Sequence, residues 1–485
     1  MLLTGAVAYK IKKPVRLPFL DFTSLSQRRH FCEEELRINR RLAPELYVEV
    51  IPIGGTPEHP DLGTLPAIEY AVKMHEFPSQ SRLDQYLKTH VGLDGEIEEL
   101  GELIGRFHLG LPAAGSETRY GSSASVVATI VKNLDETVAC LPDALAPDSV
   151  LYRGLVSLAE RLAPVFDQRK RGGAIKEGHG DLHLENLVYF DGHILPFDAL
   201  EFDPGLRWLD VIDEAAFLTM DLMAHERIDL ACAFLNRYLE VTGDYDGLMV
   251  LDGYLAHRAV VRAKVRAIKT MRNHAASGSS SPRPYLALAS KLLGPKRPAI
   301  VMTHGLSGSG KTTVSTALIS ALPAIRLRSD LERKRLAGLE ERQRSCSKLG
   351  AGLYSERRTA STYAALEHHA RAAIGAGFNI ILDAAFLQAD QRRRIARLAE
   401  ALDVPFAILD CIASDRTLRD RIRARLAGQL DASEADLDVL DHQIGARDEL
   451  DPAELARTIR VDTEQPFSGE KLAGRIRSRL ASSDP

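Results

Sequence analysis

The rhythm of apolar and polar positions changes several times along these 485 residues. VAYKIKK (7–13) alternates with period two and predicts a strand. RRHFCEEELRINRRLA (28–43) reads as a helix whose acidic first half and basic second half suit the helix dipole. AIEYAVKM (67–74) predicts another strand, and IEELGELIGRFHLGL (97–111) places apolar residues at helical spacing. Helices dominate from there to residue 272, interrupted by GHGDLHLENLVYFDGHILPFDALEF (178–202). Within that stretch, LVYFDGHILPFD reads as strand, Asp-Gly turn, strand. The pattern describes a small sheet-containing lobe followed by a larger helical lobe.

A break follows. NHAASGSSSPRPY (273–285) runs Ser and Gly together ahead of two prolines, a composition that is flexible and cannot continue a helix. PKRP (295–298) is a second break, and a helical connector near Tyr285–Leu293 is expected between them. Beyond it, strands and helices alternate. AIVMTH (299–304), AIRLR (324–328), FNIILD (378–383), FAILDCI (406–412) and TIRVD (458–462) are the strand candidates. That order predicts a doubly wound parallel sheet. Two domains are expected, 1–292 and 297–485.

Composition narrows the class. At 45% hydrophobic and 26% charged, the chain has the make-up of a soluble globular protein. A net charge of −4, with one Trp, gives no bias toward nucleic acid or anionic membrane. No apolar run approaches the roughly 20 residues that span a bilayer. The start, MLLTGAVAYKIKK, has its lysines after the apolar stretch and not before it, unlike a signal peptide. Five scattered cysteines lack metal or redox spacing and read as free thiols in a reducing compartment. A cytoplasmic location is expected.

GLSGSGKT (305–312) follows a strand and opens a helix, the context a P-loop requires. Gly305, Gly308 and Gly310 permit close backbone approach to phosphate. The amides around Ser307, Ser309 and Thr313 then face the anion at the helix N-terminus. Lys311 reaches the β- and γ-phosphates, and the Thr312 hydroxyl suits Mg²⁺. Asp330, in RSDLERKR, and Asp383, ending FNIILD, fall at carboxyl ends of strands, where open α/β sheets bind ligands. Asp330 could accept a proton from an attacking hydroxyl, with Arg333 one turn on. Asp383 could hold Mg²⁺ through water or orient Arg333. Either aspartate could instead be a helix N-cap. Arg421, Arg423 and Arg425 recur in DRIRARLAG as a lid over the phosphoryl group or as a solvated basic face.

With GLSGSGKT, SDLER, ILD and the late arginine helix, residues 297–485 resemble the P-loop small-molecule and polynucleotide kinases, a group that includes gluconate kinase and polynucleotide 5′-kinase. The resemblance implies that Asp330 activates the acceptor hydroxyl and that Arg333 binds substrate.

HGDLHLEN carries Asp181 and Asn186 at the separation of the kinase catalytic loop, and the hairpin returns Asp198 toward Asn186. The spacing assigns Asp181 as base and Asn186 and Asp198 as metal ligands for phosphoryl transfer. Residues 1 to about 292 resemble the aminoglycoside phosphotransferase family, which has a protein-kinase-like fold. The match rests on HGDLHLEN, on FDALEF in place of D-F-G, and on LGELIGRFHLGL. The resemblance makes Lys10 of VAYK the ATP lysine, with Lys12 the runner-up. Glu35 or Glu34 would be its carboxylate partner, and EYAVKM the strand beside adenine. The whole chain resembles a bacterial family of fused phosphotransferase and ATP-binding proteins. Only nine residues precede Lys10, so a glycine-rich phosphate cover is not expected upstream of it.

Glu201, Asp203, Asp210, Asp213 and Asp221 crowd the region after Asp198, either to receive a cationic aminosugar or as caps and ion-pair partners. Arg258, Arg262 and Arg266, at i, i+4 spacing, read as a solvated helix face ahead of an anion site. The leading expectation is an ATP- and Mg²⁺-dependent phosphotransferase acting on a small-molecule hydroxyl, with two nucleotide sites. The alternatives are a regulatory ATP-binding protein with a degraded first domain, or a polynucleotide or nucleoside kinase acting through the P-loop. The identity of the acceptor and the oligomeric state are not encoded in these patterns.

Overall fold

The computed structural model describes residues 1–17, 20–273, 281–341, 343, 345, 352–428 and 433–481. Residues 274–280 of the Gly/Ser/Pro break, and Cys346, lie outside the described residues. The chain forms two compact units, residues 1–227 with 250–293, and residues 228–249 with 294–485. No helix among the described residues is long and apolar enough to cross a membrane.

In the first unit, β1 (Leu2–Leu3), β2 (Val7–Ile11), β3 (Tyr47–Gly55), β4 (Pro60–Leu62) and β5 (Glu69–His75) form an antiparallel sheet in the order β1-β2-β5-β3-β4. The turn after β1 is held by Glu76, whose carboxylate accepts the Thr4 and Gly5 amides. Helix α1 (Leu25–Asn39) begins where the Ser24 hydroxyl accepts the Gln27 amide, an N-cap. It packs Cys32 against Tyr47, Val72 and Met74 of the sheet. Glu35 and Asn39 lie one and two turns on and are also buried.

The helical part contains α2 (Asp94–Gly110), α3 (Ser123–Cys140), α4 (Val150–Arg171) and α5 (Val211–Ala224). Two antiparallel strand pairs frame the HGD stretch. One is β6 (Ile175–Glu177) with β9 (Trp208–Asp210), and the other is the hairpin of β7 (Leu187–Phe190) and β8 (His193–Pro196). The hairpin turns at Asp191 and Gly192, with φ of 47° and 88°, as a two-residue turn with both centres left-handed requires. Every residue of α5 from Val211 to Leu222 is buried. A helix apolar on all sides belongs in a core, so its three acids must each be matched.

α6 (Ile228–Thr242) belongs to the second unit, while α7 (Leu248–Asn273) and α8 (Arg283–Leu292) supply helices to the first. The basic stripe on α7 is not a solvated face. Arg258 is clamped by both Asp213 oxygens at 2.7 and 2.8 Å and stacks on Phe217, and the side chain of Arg262 is only 2% exposed. Buried partners on α5 and in the HGD loop outcompete water for these guanidinium groups.

The second unit carries β10 (Ile300–His304), α9 (Lys311–Ala321), β11 (Ala324–Arg328), α10 (Ser329–Leu336), α11 (Glu356–Gly375), β12 (Asn379–Asp383), α12 (Ala389–Ala401), β13 (Phe406–Ile412), α13 (Asp415–Gly428), α14 (Leu437–Ala446), β14 (Thr458–Asp462) and α15 (Gly469–Ala481). Among the described residues its five strands are parallel in the order β11-β12-β10-β13-β14. α9 and α15 share a core of Val314, Leu318, Leu472 and Ile476 with the sheet. α6 covers the outer edge of that sheet. Its Asn236 accepts the Arg326 amide at 2.7 Å and donates to Ala324 O at 2.9 Å, pairing backbone groups of β11, the edge strand. An α+β unit with a small antiparallel sheet and a larger helical part is thus followed by an α/β unit with a parallel sheet and a P-loop.

Candidate active sites

In the first unit, the lysine strand, α1 and the HGD hairpin bring their charges together. Lys10 Nζ donates to Glu35 Oε1 at 2.8 Å and to Asp198 Oδ1 at 2.5 Å. Lys12 Nζ takes the other Glu35 oxygen at 2.7 Å and Glu201 at 2.5 Å. Burial alone would lower both lysines, but the facing carboxylates outweigh it and raise them. The two differ in access: the Lys10 side chain is 27% exposed and that of Lys12 only 3%. Glu34 pairs instead with Arg37 and Arg207. Lys10 therefore stands beside Asp198 where a phosphate could reach it, and Lys12 locks the base of Glu35.

Asp198 has a left-handed backbone, φ 61°, unusual for a residue with a Cβ. Its neighbours hold it there. Tyr47 Oη accepts the Asp198 amide, Asn39 Oδ1 accepts the Ala199 amide, and His179 Nε2 meets Phe197 O at 3.0 Å. Asn186 Nδ2 donates to Asp181 O and Oδ2, at 3.0 and 2.7 Å. That leaves its Oδ1 as the atom a metal would take. Asp181, Asn186 and Asp198 line one cavity of about 410 Å³. Burial would raise Asp181, but His183, at 3.2 Å, with His179 and Arg262, holds it down at about 2.

The HGD loop is anchored by a residue the sequence reading passed over. Glu214 on α5 accepts the amides of His179 and Gly180 at 2.7 and 2.6 Å and meets His108 Nε2 at 2.7 Å. Its only signal in the sequence is an acid inside an apolar helix. Burial opposes its charge, yet His108 and the loop amides hold it down at about 2. A depressed carboxylate stabilises the fold fully above its ordinary value, 4.5, and loses that contribution as pH falls through about 2. Glu214→Ala should therefore cost about 3–5 kcal/mol at pH 7, and the gap from wild type should close as pH drops from 4.5 toward 2. Urea denaturation at stepped pH measures this, and a pH-independent gap contradicts it.

The carboxylates after Asp198 are occupied by the protein itself. Asp203 caps a four-residue helix and Asp210 caps α5, Asp210 also pairs with Arg169, Asp213 pairs with Arg258, and Asp221 accepts the Leu184 amide and the Tyr285 hydroxyl.

In the second unit, the P-loop turns from β10 into α9. Gly305, Gly308 and Gly310 all have positive φ, and a Cβ on Gly305 would meet Cys411 O at 2.5 Å. Lys311 Nζ donates to the loop carbonyls of Gly305 and Leu306 at 3.0 and 2.8 Å. Burial lowers its pKa, and the Asp383 charge offsets part of that. Ser307 N donates to Gln443 Oε1 on α14 at 2.8 Å. Ser309 is buried, and among the described residues its hydroxyl has no hydrogen-bond partner. Asp383, also buried, accepts from Ser315 at 3.0 Å.

A cavity of about 840 Å³ is lined by Lys311, Thr312, Thr313, Asp330, Arg333 and Asp383, among others. Arg421 donates to Gly308 O and to Thr463, and Arg425 to Ala435 O, so both line the same cavity from α13. Arg423 pairs with Asp420 at the surface. The late arginines thus divide: two face the P-loop and one faces solvent. Gln443 had no signal in the sequence, because its role depends on α14 folding back over the loop.

Residues 300–450 match the AAA_33 family model, described as an AAA domain. The uncharacterized protein Rv2004c of Mycobacterium tuberculosis is 29% identical over 445 residues, covering 89% of this chain and 86% of that protein. A gluconokinase from Sinorhizobium meliloti aligns over 39% of this chain and 92% of its own, at 21% identity and TM-score 0.26. A choline/ethanolamine kinase family protein from Mesorhizobium loti aligns over 60% of this chain and 83% of its own, at 12% identity and TM-score 0.35. At these values the structural likenesses carry no assignment of activity, which rests on the geometry above.

Proposed function

We propose that the chain is an ATP-dependent phosphotransferase with two nucleotide sites, each passing the γ-phosphoryl group to a hydroxyl of a small molecule. The observation that carries this reading is a single cavity that holds both the P-loop, at the end of β10, and Asp330 with Arg333, just after β11. The first unit supports it independently through Asp181, Asn186, Asp198 and the Lys10–Glu35 pair.

In the first unit the acceptor oxygen forms the new bond to the γ-phosphorus as the bond to the bridging oxygen breaks, and ADP leaves. The Asp181 carboxylate, ionised at neutral pH, takes the acceptor proton. Asn186 and His183 fix its orientation, and Lys10, held by Glu35, steadies the nucleotide phosphates. In the second unit Asp330 takes the proton, Arg333 holds the acceptor, and Lys311 with Arg421 and Arg425 meets the developing phosphate charge. Hard oxygen donors suit Mg²⁺: Asn186 Oδ1 and Asp198 would hold it in the first unit and Thr312 in the second. When bound it neutralises phosphate charge.

Sugars, polyols, aminosugars, sugar phosphates and nucleosides, each offered with ATP and followed by ³¹P NMR, test this reading. The expected result is a phosphorylated acceptor whose formation stops in the Asp181→Asn/Asp330→Asn double variant. Hydrolysis to inorganic phosphate with every acceptor class contradicts it.

A further inference from the structure

The cavity that holds Asp181 is also lined by Arg82, Glu185, Arg262 and Lys269. Glu185 sits in the HGD loop, four residues after Asp181. Arg262 Nη2, Arg266 Nη2 and Lys269 Nζ, all on α7, converge on its carboxylate at 2.7, 2.6 and 2.9 Å. Arg82 is matched by Asp84 at 2.5 Å, and Arg262 also faces Asp221 at 3.7 Å. Arg266 and Lys269 are left to share what remains of one carboxylate. They are also the more open members, with side chains 17% and 51% exposed against 2% for Arg262. At this end of the cavity three cations meet the two carboxylates Glu185 and Asp221, and such a cluster attracts an anion over an ammonium group.

Resting on the phosphotransferase reading of this unit, we propose that Arg262 and Lys269, which line the cavity, with Arg266 beside them on Glu185, form an anion subsite. The acceptor of the first unit is then a hydroxyl compound that already carries a phosphate or carboxylate group. A guanidinium and an ammonium side by side match such a group well. A cavity of about 410 Å³ holds a molecule of sugar-phosphate size. Glu185 acts as the resident anion that the acceptor's own charge joins or displaces.

The test is calorimetry on the full chain without ATP, in a Lys311→Ala background that weakens anion binding at the P-loop. The probes are inorganic phosphate, glycerol 3-phosphate, glycerate and glucosamine. Arg266→Ala/Lys269→Ala should weaken binding of the anionic probes at least tenfold. Glu185→Gln should strengthen it about threefold or more, a sign that a purely structural ion cluster would not give. Circular dichroism checks folding, and Arg266→Lys should keep most of the affinity. Glycerol 3-phosphate binding alone points to a phosphate-bearing acceptor, and glycerate binding as well to either anion. Phosphate affinity unchanged in both the double variant and Glu185→Gln, or glucosamine binding in preference to glycerol 3-phosphate, overturns the proposal. Because ATP is absent, the calorimetry reads the subsite alone: anion binding here with no phosphorylated acceptor in the ³¹P NMR experiment would sink the phosphotransferase reading and leave the subsite standing.

Discussion

Asp181→Asn should lower acceptor turnover by the first unit about 10²–10⁴-fold, the range a positioned general base contributes. Mg·ATP affinity should stay within about threefold. The amide has the shape of the carboxylate and can still be held by Asn186 and His183, but it cannot take the acceptor proton. His183, His179 and Arg262 hold the Asp181 carboxylate at about 2 against the opposing effect of burial. It is therefore ionised throughout the neutral range, and an acid limb of turnover between pH 5 and 8 cannot belong to it. Asp198→Ala should behave differently. It removes the carboxylate that faces Lys10 and would hold the metal, so both the Mg²⁺ dependence and ATP affinity should weaken. Steady-state kinetics in a Lys311→Ala background separates the two. Equal and mild losses from both changes would mean that neither residue does chemistry.

Local patterns carried much of this molecule. The five strands of the second unit are where period and β-branched runs place them, because a buried parallel strand must be apolar along its length. The Asp-Gly hairpin was legible for a stronger reason, since only a left-handed pair makes that turn. The contacts that hold the sites in place were not legible. Glu214 reaches the HGD loop from α5, Tyr47 and Asn39 fix Asp198 from the sheet and α1, and Gln443 reaches Ser307 from α14. Each joins positions tens to hundreds of residues apart, and no periodicity encodes such a pairing. The arginine stripe of α7 misled for the same reason. Its spacing marks one helix face, but only the fold shows that this face meets Asp213 and Glu185. The place of α6 in the second unit was also out of reach, because the Gly/Ser/Pro break lies downstream of it.

Lys311→Ala should weaken ATP binding at the P-loop about a hundredfold, equivalent to about 2.7 kcal/mol. The side chain is a half-buried cation whose present partners are two carbonyls of its own loop. Those bonds exchange readily for phosphate oxygens, which give stronger, charge-assisted hydrogen bonds. Removing the ammonium leaves the loop amides and glycines in place, so the fold should be unaffected while the charge that balances the phosphates is lost. Thermal denaturation without nucleotide should be close to wild type, and the stabilisation that ATP confers should shrink.

The number of ATP molecules bound per chain tests the two-site account most directly. Equilibrium dialysis of the full chain with Mg²⁺ and a slowly hydrolysed ATP analogue should give two, falling to one in Lys311→Ala and to one in Lys10→Ala. A wild-type value of one that Lys311→Ala abolishes and Lys10→Ala leaves untouched would contradict the account, and would confine nucleotide chemistry to the P-loop unit.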